Sequence, residues 1–293
     1  MNPEKAENME QITTSAVDPE DIDNVADYYK FEIDNDFSKV PEQSTFEKMA
    51  AFRQKQIQEN KLQVIKATEN GKTIGTSIVV LENGTMGKNI KDNEAWAAGT
   101  VIDKSKRGQG IGEKLSYEQD RIAREAGKES ILTTISQDNF PSMRLRLKVG
   151  YELDGIDERS DETNYFYRKN LINNDKIEKD WTQEVESGKL KLLETDEKEV
   201  DDEILVDPNN KELIAELLLK GYRGINLLRP EDFTDKKTID KNLLIFVNTA
   251  DQKEKQLLAA QIKDQKFNQE KDKAYENDQT EILKIRDDLK NIK

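Results

Sequence analysis

The segment from residue 95 to residue 115 restricts the possible folds of this chain more than any other part of the sequence. An apolar run that ends at Ile102 predicts a β-strand, and a glycine-rich turn follows it and leads into a helix. Gly108, Gly110 and Gly112 remove side chains where the backbone enters that helix. The free amide groups of the turn can therefore close around a phosphate at the positive end of the helix dipole.

Two well-known phosphate-binding loops do not match this turn. The sequence contains no Gly-x-x-x-x-Gly-Lys-Ser/Thr, which excludes the loop of nucleoside triphosphatases and disfavours phosphotransfer. The residue three positions after Gly110 is Glu113, which excludes the dinucleotide-binding pattern. The remaining pattern is Arg107-x-x-Gly110-x-Gly112. So short a pattern is also typical of an ordinary tight turn between a strand and a helix.

The spacing of the apolar residues predicts the order of elements along residues 12–167. A short strand comes first, followed by a helix that ends near Tyr29 and a second helix that begins near Ser44. Asn70-Gly71 then predicts a tight hairpin of two strands, because these residues accept the positive φ angles of a type I′ turn. A third strand, a helix, a strand, a helix and two strands complete the series. This order indicates an α+β fold with a largely antiparallel sheet.

A second segment, from Asp138 to Tyr151, places an Asn before a short predicted helix and a Gly-Tyr pair after it. Together with the glycine-rich turn, it resembles the two signature motifs of the GNAT superfamily of acyl-CoA-dependent N-acyltransferases. The matching positions of the first motif are Val101, Arg107, Gly110 and Gly112, and the family often has a proline at the position of Asp103. The resemblance covers residues 11–171. It implies a GNAT-like mixed, largely antiparallel central sheet flanked by helices.

The resemblance implies a site for acetyl-CoA, or for a similar short acyl-CoA, as co-substrate. The strand that ends at Val101 would diverge from its neighbour at a bulge, and the backbone amide of Val101 would stabilise the oxyanion formed on the thioester carbonyl. Asn139 would lie near the pantetheine arm. The implied CoA-binding residues are Val101, Ile102, Asp103, Arg107, Gly108, Gln109, Gly110, Ile111, Gly112 and Asn139.

The chain contains no His and no Cys, so acid–base chemistry must rest on carboxylates, Tyr, Lys, Arg or backbone groups. Glu94 and Asp103 flank the predicted strand. Glu94 is the candidate base that accepts a proton from the amine. The alternative for both residues is a solvated carboxylate on the surface. Many GNAT relatives carry an acid Tyr seven residues after the signature Asn, where this chain has Arg146. The fixed charge of Arg146 can stabilise a thiolate, or the side chain can lie on a solvated basic helix face. Tyr151 is expected to be packed.

These motifs predict an enzyme that transfers an acetyl or similar short acyl group from acyl-CoA to a primary amine by direct attack in a ternary complex. The alternative is a non-catalytic GNAT-like module that binds CoA or a protein partner. A formal net charge of −14 favours a cationic amine, on a small molecule or a protein, over nucleic acid. The usual zinc sites require residues that this chain lacks, so no metal is expected.

Composition divides the chain into five segments. They are a polar leader (1–10), the GNAT-like domain (11–171), an acidic linker (172–203), a small α/β appendage (204–250) and a charged helical tail (251–293). In the appendage, Asn209 or Asn210 caps a predicted helix, and residues 243–247 predict a buried strand. An apolar stripe near the end of the tail can mediate self-association. A fragment that ends near Leu171 is expected to fold alone.

Hydropathy gives no indication of membrane contact. No uncharged run approaches the roughly 20 residues that span a bilayer, and the acidic N-terminal sequence has no apolar core of signal-peptide length. The expected location is therefore the cytoplasm.

Overall fold

A computed structural model represents this protein. It describes residues 12–18, 20, 22–36, 43–157, 163–172, 179–195, 200–235 and 238–249. These residues form two compact units, one up to Ile131 and the other from Leu132 onward. The predicted polar leader and charged helical tail, with its self-association stripe, lie outside the described residues.

The first unit is an antiparallel sheet with helices packed on it. Strands β1 to β4 follow one another in the sheet in chain order, and each pairs antiparallel with the next. Strand β5 (Ser130–Ser136) begins in this unit and continues into the second. The other elements are β1 (Ile12–Ala16), α1 (Ile22–Asp36), α2 (Gln43–Gln58), β2 (Leu62–Glu69), β3 (Lys72–Val80), β4 (Glu94–Ile102) and α3 (Ile111–Glu125).

The hairpin between β2 and β3 confirms the turn predicted from Asn70-Gly71. Asn70 has φ of 51° and Gly71 has φ of 77°, as a type I′ turn requires. The turn sets Glu69 opposite Lys72, and a bulge at Ile74 then shifts the pairing by one residue, so that Val64 lies opposite Ile78. Both of these residues are buried, so the pairing and the apolar pattern specify the same core face.

Helices α1 and α3 pack on opposite faces of the sheet. A Cβ placed on Gly75 of β3 would lie 3.1 Å from the Ile111 side chain and 3.3 Å from that of Leu115, so α3 approaches this face closely. Ile78 is three residues further along β3 and points to the other face. There it lies near Gly99 of β4, which also approaches Glu32 of α1.

Strand β4 contains a bulge in its second half. Ala98 pairs with Ile78 and Val101 pairs with Thr76, so β4 has two residues where β3 has one. Gly99 adopts φ of +54° at this point, a conformation that side chains other than glycine rarely accept. The bulge bends β4 just before it reaches the glycine-rich turn.

The second unit contains a mixed sheet. Its strand order is β5-β7-β6-β10-β11-β9-β8, with β8 parallel to β9 and antiparallel pairing of β7–β6, β6–β10, β10–β11 and β11–β9. The elements are α4 (Phe140–Lys148), β6 (Glu152–Asp157), β7 (Asn164–Asn170), α5 (Trp181–Glu186), β8 (Leu192–Leu193), β9 (Glu203–Val206), α6 (Lys211–Leu219), β10 (Tyr222–Leu228) and β11 (Leu243–Asn248).

The compact units divide the chain at a different point from the predicted domains. Strand β10, which the sequence did not predict, pairs with β6 at Gly224 and Leu153. The Tyr165 hydroxyl donates to the carbonyl of Pro208 at 2.5 Å. The carboxylate of Asp232 accepts two hydrogen bonds from Arg144, at 2.5 and 2.8 Å. Residues 203–249 therefore share a core with the second signature motif.

Helix α5 and strand β8 lie in the segment predicted as an acidic linker and, like β10, were not predicted; the other helices and strands agree with the predicted order. Asn210 caps helix α6 through a hydrogen bond to the Leu213 amide, and Gly221 ends that helix with φ of 89°. Within the described residues, no helix has both the length and the apolar character needed to cross a lipid bilayer.

Candidate functional site

The glycine-rich turn joins the end of β4 to the beginning of α3, as the sequence predicted. Gly108 and Gly110 have φ of 76° and 78°, so both use the left-handed conformation that glycine allows. Gly110 is the N-cap of the 15-residue helix α3, and none of the described side chains caps this end. The first amides of α3 thus point out of a helix terminus that favours an anion.

Basic side chains surround this turn. The Nε atom of Arg107 donates to the carbonyl of Ile102 at 3.3 Å, which ties the turn to the end of β4. The Arg107 side chain is otherwise exposed. Lys106 forms an ion pair with Glu69 at 2.5 Å. The turn is therefore a locally basic feature of an acidic chain.

Asp103 helps to shape the turn and is a poor proton acceptor. Its carboxylate accepts hydrogen bonds from the Ser105 hydroxyl at 2.7 Å and from the Ser105 amide at 2.8 Å. The hydroxyl bond and then the amide bond lower the pKa of Asp103 below its ordinary value. A carboxylate that is both more acidic and already hydrogen-bonded has little tendency to take a proton from an amine.

The backbone amides at the end of β4 alternate in direction. The amide of Asp103 donates to the carbonyl of Ile74 on β3 at 3.0 Å. Because hydrogen-bonded pairs alternate along an antiparallel ladder, the amide of Val101 also points towards β3, at its partner Thr76. The amide of Ile102 points away from β3. Of these two neighbouring amides, only that of Ile102 is directed out of the β3–β4 ladder.

Glu94 lies at the opposite end of the strand from the glycine-rich turn. Seven residues separate it from Val101, which is about 23 Å of extended strand. Its side chain is buried and accepts a hydrogen bond from the Lys91 amide at 3.0 Å, so it is not the solvated carboxylate considered as the alternative. The structure does not bring Glu94 near the amides assigned to the thioester.

Asn139 and Arg146 lie in the second unit. The side-chain oxygen of Asn139 accepts a hydrogen bond from the Ser142 amide at 3.2 Å and so caps α4. Arg146 is buried, with its guanidinium carbon 5.1 Å from the centre of the Tyr151 ring. It therefore does not occupy the solvated helix face considered as the alternative. Tyr151 is packed, as predicted.

One carboxylate near the bulge was not predicted from the sequence. Glu32 on α1 is only 7% exposed, and the hydroxyl of the fully buried Tyr28 donates to its Oε2 atom at 2.8 Å. Tyr28 and Glu32 are four residues apart, so they share a helix face with the buried Val25. The sequence signal for this residue was an acidic side chain at a position where the helical spacing predicts an apolar one.

Comparison with known proteins agrees with this geometry. The sequence model described as the acetyltransferase (GNAT) family matches residues 27–151, which include most of α1, the bulge, the glycine-rich turn and the second motif. Residues 27–151 are therefore a GNAT acetyltransferase domain. Among curated protein sequences, none matches this chain.

Solved structures similar to this chain are also acetyltransferases. An N-acetyltransferase from Staphylococcus aureus has 17% identity and a TM-score of 0.42, over 55% of this chain and 98% of its own. A proposed acetyltransferase from Salmonella typhimurium with its cofactor acetyl-CoA has 16% identity and a TM-score of 0.43, over 55% and 95%. An aminoglycoside 6′-acetyltransferase type Ii has 13% identity and a TM-score of 0.43, over 55% and 98%.

Proposed function

We propose that this protein is an N-acetyltransferase that moves an acetyl or similar short acyl group from acyl-CoA to a primary amine by direct attack. The observation that supports this proposal is the N-terminus of α3, which has no side-chain cap and follows two glycines in the left-handed conformation. It lies within the segment that matches the GNAT family. Such a terminus presents backbone amides and a positive dipole end to a phosphate. The geometry of this turn suits the pyrophosphate of CoA.

Each part of the turn has a proposed role in holding acyl-CoA. The amides of residues 107–112 bind the pyrophosphate, and the exposed side chain of Arg107 adds positive charge. Gly108 and Gly110 allow the backbone to approach the phosphates, because neither carries a Cβ. Val101, Ile102 and Asp103 line the path of the pantetheine arm.

The backbone at the end of β4 supplies electrophilic stabilisation in this proposal. Acyl-CoA provides the thioester whose carbonyl carbon the amine attacks, and a negative charge develops on the carbonyl oxygen. One well-placed amide donor is worth about 2.7–4 kcal/mol at such a transition state. The direction of the amides supports Ile102 as that donor, because the amide of Val101 points at β3.

A non-catalytic CoA-binding module is the second candidate, and one observation favours it. Arg146 occupies the position where many GNAT relatives have the acid tyrosine, and its guanidinium is buried against Tyr151. A permanently protonated guanidinium is a poor proton donor for the departing thiolate. Under this alternative the chain binds acetyl-CoA but transfers no acetyl group.

Release of the free CoA thiol from acetyl-CoA distinguishes the two functions. The chain has no Cys, so a chromogenic disulfide reagent reports CoA without background from the protein. Spermidine, kanamycin and an α-N-acetylated lysine amide represent three classes of amine acceptor. Thiol release that depends on one of these amines is the expected result. Saturable binding of acetyl-CoA without release in the presence of any of them would favour the non-catalytic module.

A further inference from the structure

The glycine-rich turn leaves the sheet after Asp103. The amide of Asp103 donates to the carbonyl of Ile74 at 3.0 Å, next to the final pair of the ladder between β3 and β4. Four residues beyond this point make hydrogen bonds that return to residues 102–105, namely Ser105, Lys106, Arg107 and Gln109. These bonds bend the turn on itself, but they do not attach it to a neighbouring strand.

One side chain attaches the turn to a different strand. The ammonium of Lys106 forms an ion pair with the carboxylate of Glu69, with 2.5 Å between nitrogen and oxygen. The two side chains are 29% and 20% exposed, so water screens the pair only in part. Within the part of the chain that the structure describes, this is the only polar contact that joins residues 104–110 to a strand other than β4.

Glu69 is a rigid point to which the turn can be attached. It is the last residue of β2, and it pairs with Ile12 of β1 on one side and with Lys72 of β3 on the other. Asn70 and Gly71 form the type I′ turn that joins β2 to β3. Because such a turn matches the twist of its strands, the backbone at Glu69 is fixed by pairing on both sides.

The glycine-rich turn needs such a support. Gly108 and Gly110 carry no Cβ, and glycine has more conformational freedom than any other residue. A Cβ on Gly108 would meet no described atom within 4 Å, so packing does not restrain this position. A loop that must be ordered when a ligand binds loses affinity, whereas a loop already held in the bound shape does not. An ion pair that holds the turn therefore favours binding without a contact to the ligand.

We propose that Glu69 is a positioning residue for acyl-CoA: through Lys106 it holds the glycine-rich turn in the shape that lets its amides surround the pyrophosphate. This inference rests on the proposed acetyltransferase function and adds a residue that lies outside both signature motifs. In this role Glu69 contacts neither the phosphates nor the thioester, so it affects the affinity for the acyl donor and not the chemical step. Because the pair is only partly buried, it adds little to the stability of the whole fold.

Glu69→Asp tests the contact without a change of charge, because it withdraws the carboxylate by one methylene group. Calorimetry should show that Glu69→Asp binds acetyl-CoA about fivefold more weakly than wild type, equivalent to about 1 kcal/mol. Glu59→Asp is the matched control. Glu59 pairs with Lys61 at 3.1 Å, near the other end of β2 and about 23 Å of extended strand from Glu69. The control should bind acetyl-CoA within about twofold of wild type.

A second pair of variants tests the other partner of the ion pair. Lys106→Met and Lys104→Met each remove one positive charge from the turn, but Lys104 is exposed and forms no ion pair with the described residues. Lys106→Met should therefore bind acetyl-CoA about fivefold more weakly than Lys104→Met. Glu69→Asp added to Lys106→Met should change the affinity by less than about twofold, because the contact is already lost.

The donor S-acetylpantetheine separates this role from a general loss of structure, because it has no pyrophosphate. With an accepted amine, Glu69→Asp should raise KM for acetyl-CoA about fivefold and leave kcat within about twofold. The same variant should leave kcat/KM for S-acetylpantetheine within about twofold of wild type. A loss of folded protein would lower activity with both donors alike. The midpoint of unfolding in urea should move by less than about 0.5 M.

The calorimetry separates failure of this inference from failure of the proposed function. If wild type binds no acetyl-CoA, both are wrong. If wild type binds it and Glu69→Asp matches Glu59→Asp, the role of Glu69 is wrong and the acetyltransferase function stands. Tighter binding by Glu69→Asp would also overturn the inference, because Glu69 would then compete with the phosphates for Lys106. If Glu69→Asp does not fold, the lysine variants decide, and equal affinity of Lys106→Met and Lys104→Met would refute the positioning role.

Discussion

The buried amide of Gln119 on α3 supports the β4 bulge, and its removal tests that account of the site. Its Nε2 atom donates to the carbonyl of Ile78 at 2.7 Å and approaches the carbonyl of Ala98 at 3.5 Å. These two residues are the last regular pair of β3 and β4 before the bulge. Gln119→Met keeps the length of the side chain and removes both donors. The carbonyl of Ile78 would then lose a short hydrogen bond inside a core.

The expected loss follows from the geometry of these two hydrogen bonds. A buried carbonyl left without its donor costs about 1–3 kcal/mol, and the 3.5 Å contact adds little. With a urea m-value of about 2 kcal/mol/M, a loss of about 2 kcal/mol moves the unfolding midpoint down by about 1 M. Gln58→Met is the matched control, because Gln58 is exposed and should change stability by less than about 0.5 kcal/mol. A Gln119→Met midpoint equal to that of Gln58→Met would refute the role of Gln119.

Three further predictions concern the second unit. Burial would raise the pKa of Asp232, but the hydrogen bonds from Arg144 and the Arg229 amide outweigh it and lower that pKa. The stabilisation is therefore present above about pH 3.9 and lost as the pH falls through the folded-state value. Urea titrations should show Asp232→Asn less stable than wild type at pH 7 and equal to it near pH 2; a constant gap would contradict this. A fragment that ends at Leu171 should lose cooperative unfolding of its second unit, measured by circular dichroism, because strand β10 and the Pro208 acceptor are removed. A sharp unfolding transition of that unit would instead support the predicted domain that ends at Leu171. Arg146→Ala should lower turnover more than CoA affinity, and Arg146→Tyr should retain turnover with a new alkaline limb; equal turnover in all three proteins would remove a catalytic role.

Local chemistry explains which features could be predicted from the sequence. The Asn70-Gly71 hairpin and the left-handed glycines of the turn depend on residues adjacent in the chain, so the pattern of residue types was sufficient. Strand β10 was missed because Arg223 interrupts its apolar pattern. The structure buries Arg223 next to Asp154 at 3.1 Å, and that partner lies in β6, far away in sequence. Only the paired sheet makes the arginine compatible with a core strand.

The positions of the carboxylates in the candidate site also depend on partners that are distant in sequence. Glu94 and Asp103 were selected because they flank the predicted strand in sequence. Each residue along a strand adds about 3.3 Å, however, so the two ends of the strand are far apart. Glu94 is consequently far from the turn. Glu32 is one of 60 acidic residues, and only its helical spacing from Val25 and Tyr28 distinguishes it from the exposed Asp34. Its burial beside Gly99 arises from the packing of α1 on β3 and β4, which a linear pattern does not contain.

Calorimetric titration of acetyl-CoA into glycine variants tests the central claim most directly. Gly110→Asp introduces a side chain and a negative charge where the amides must approach the pyrophosphate. Gly84→Asp is the matched control, since Gly84 has φ of 84° in another loop of the same unit and a Cβ there meets no described atom within 4 Å. The account predicts that Gly84→Asp binds acetyl-CoA like wild type and that Gly110→Asp shows no measurable binding. Unchanged affinity in a folded Gly110→Asp protein would contradict the proposed CoA site.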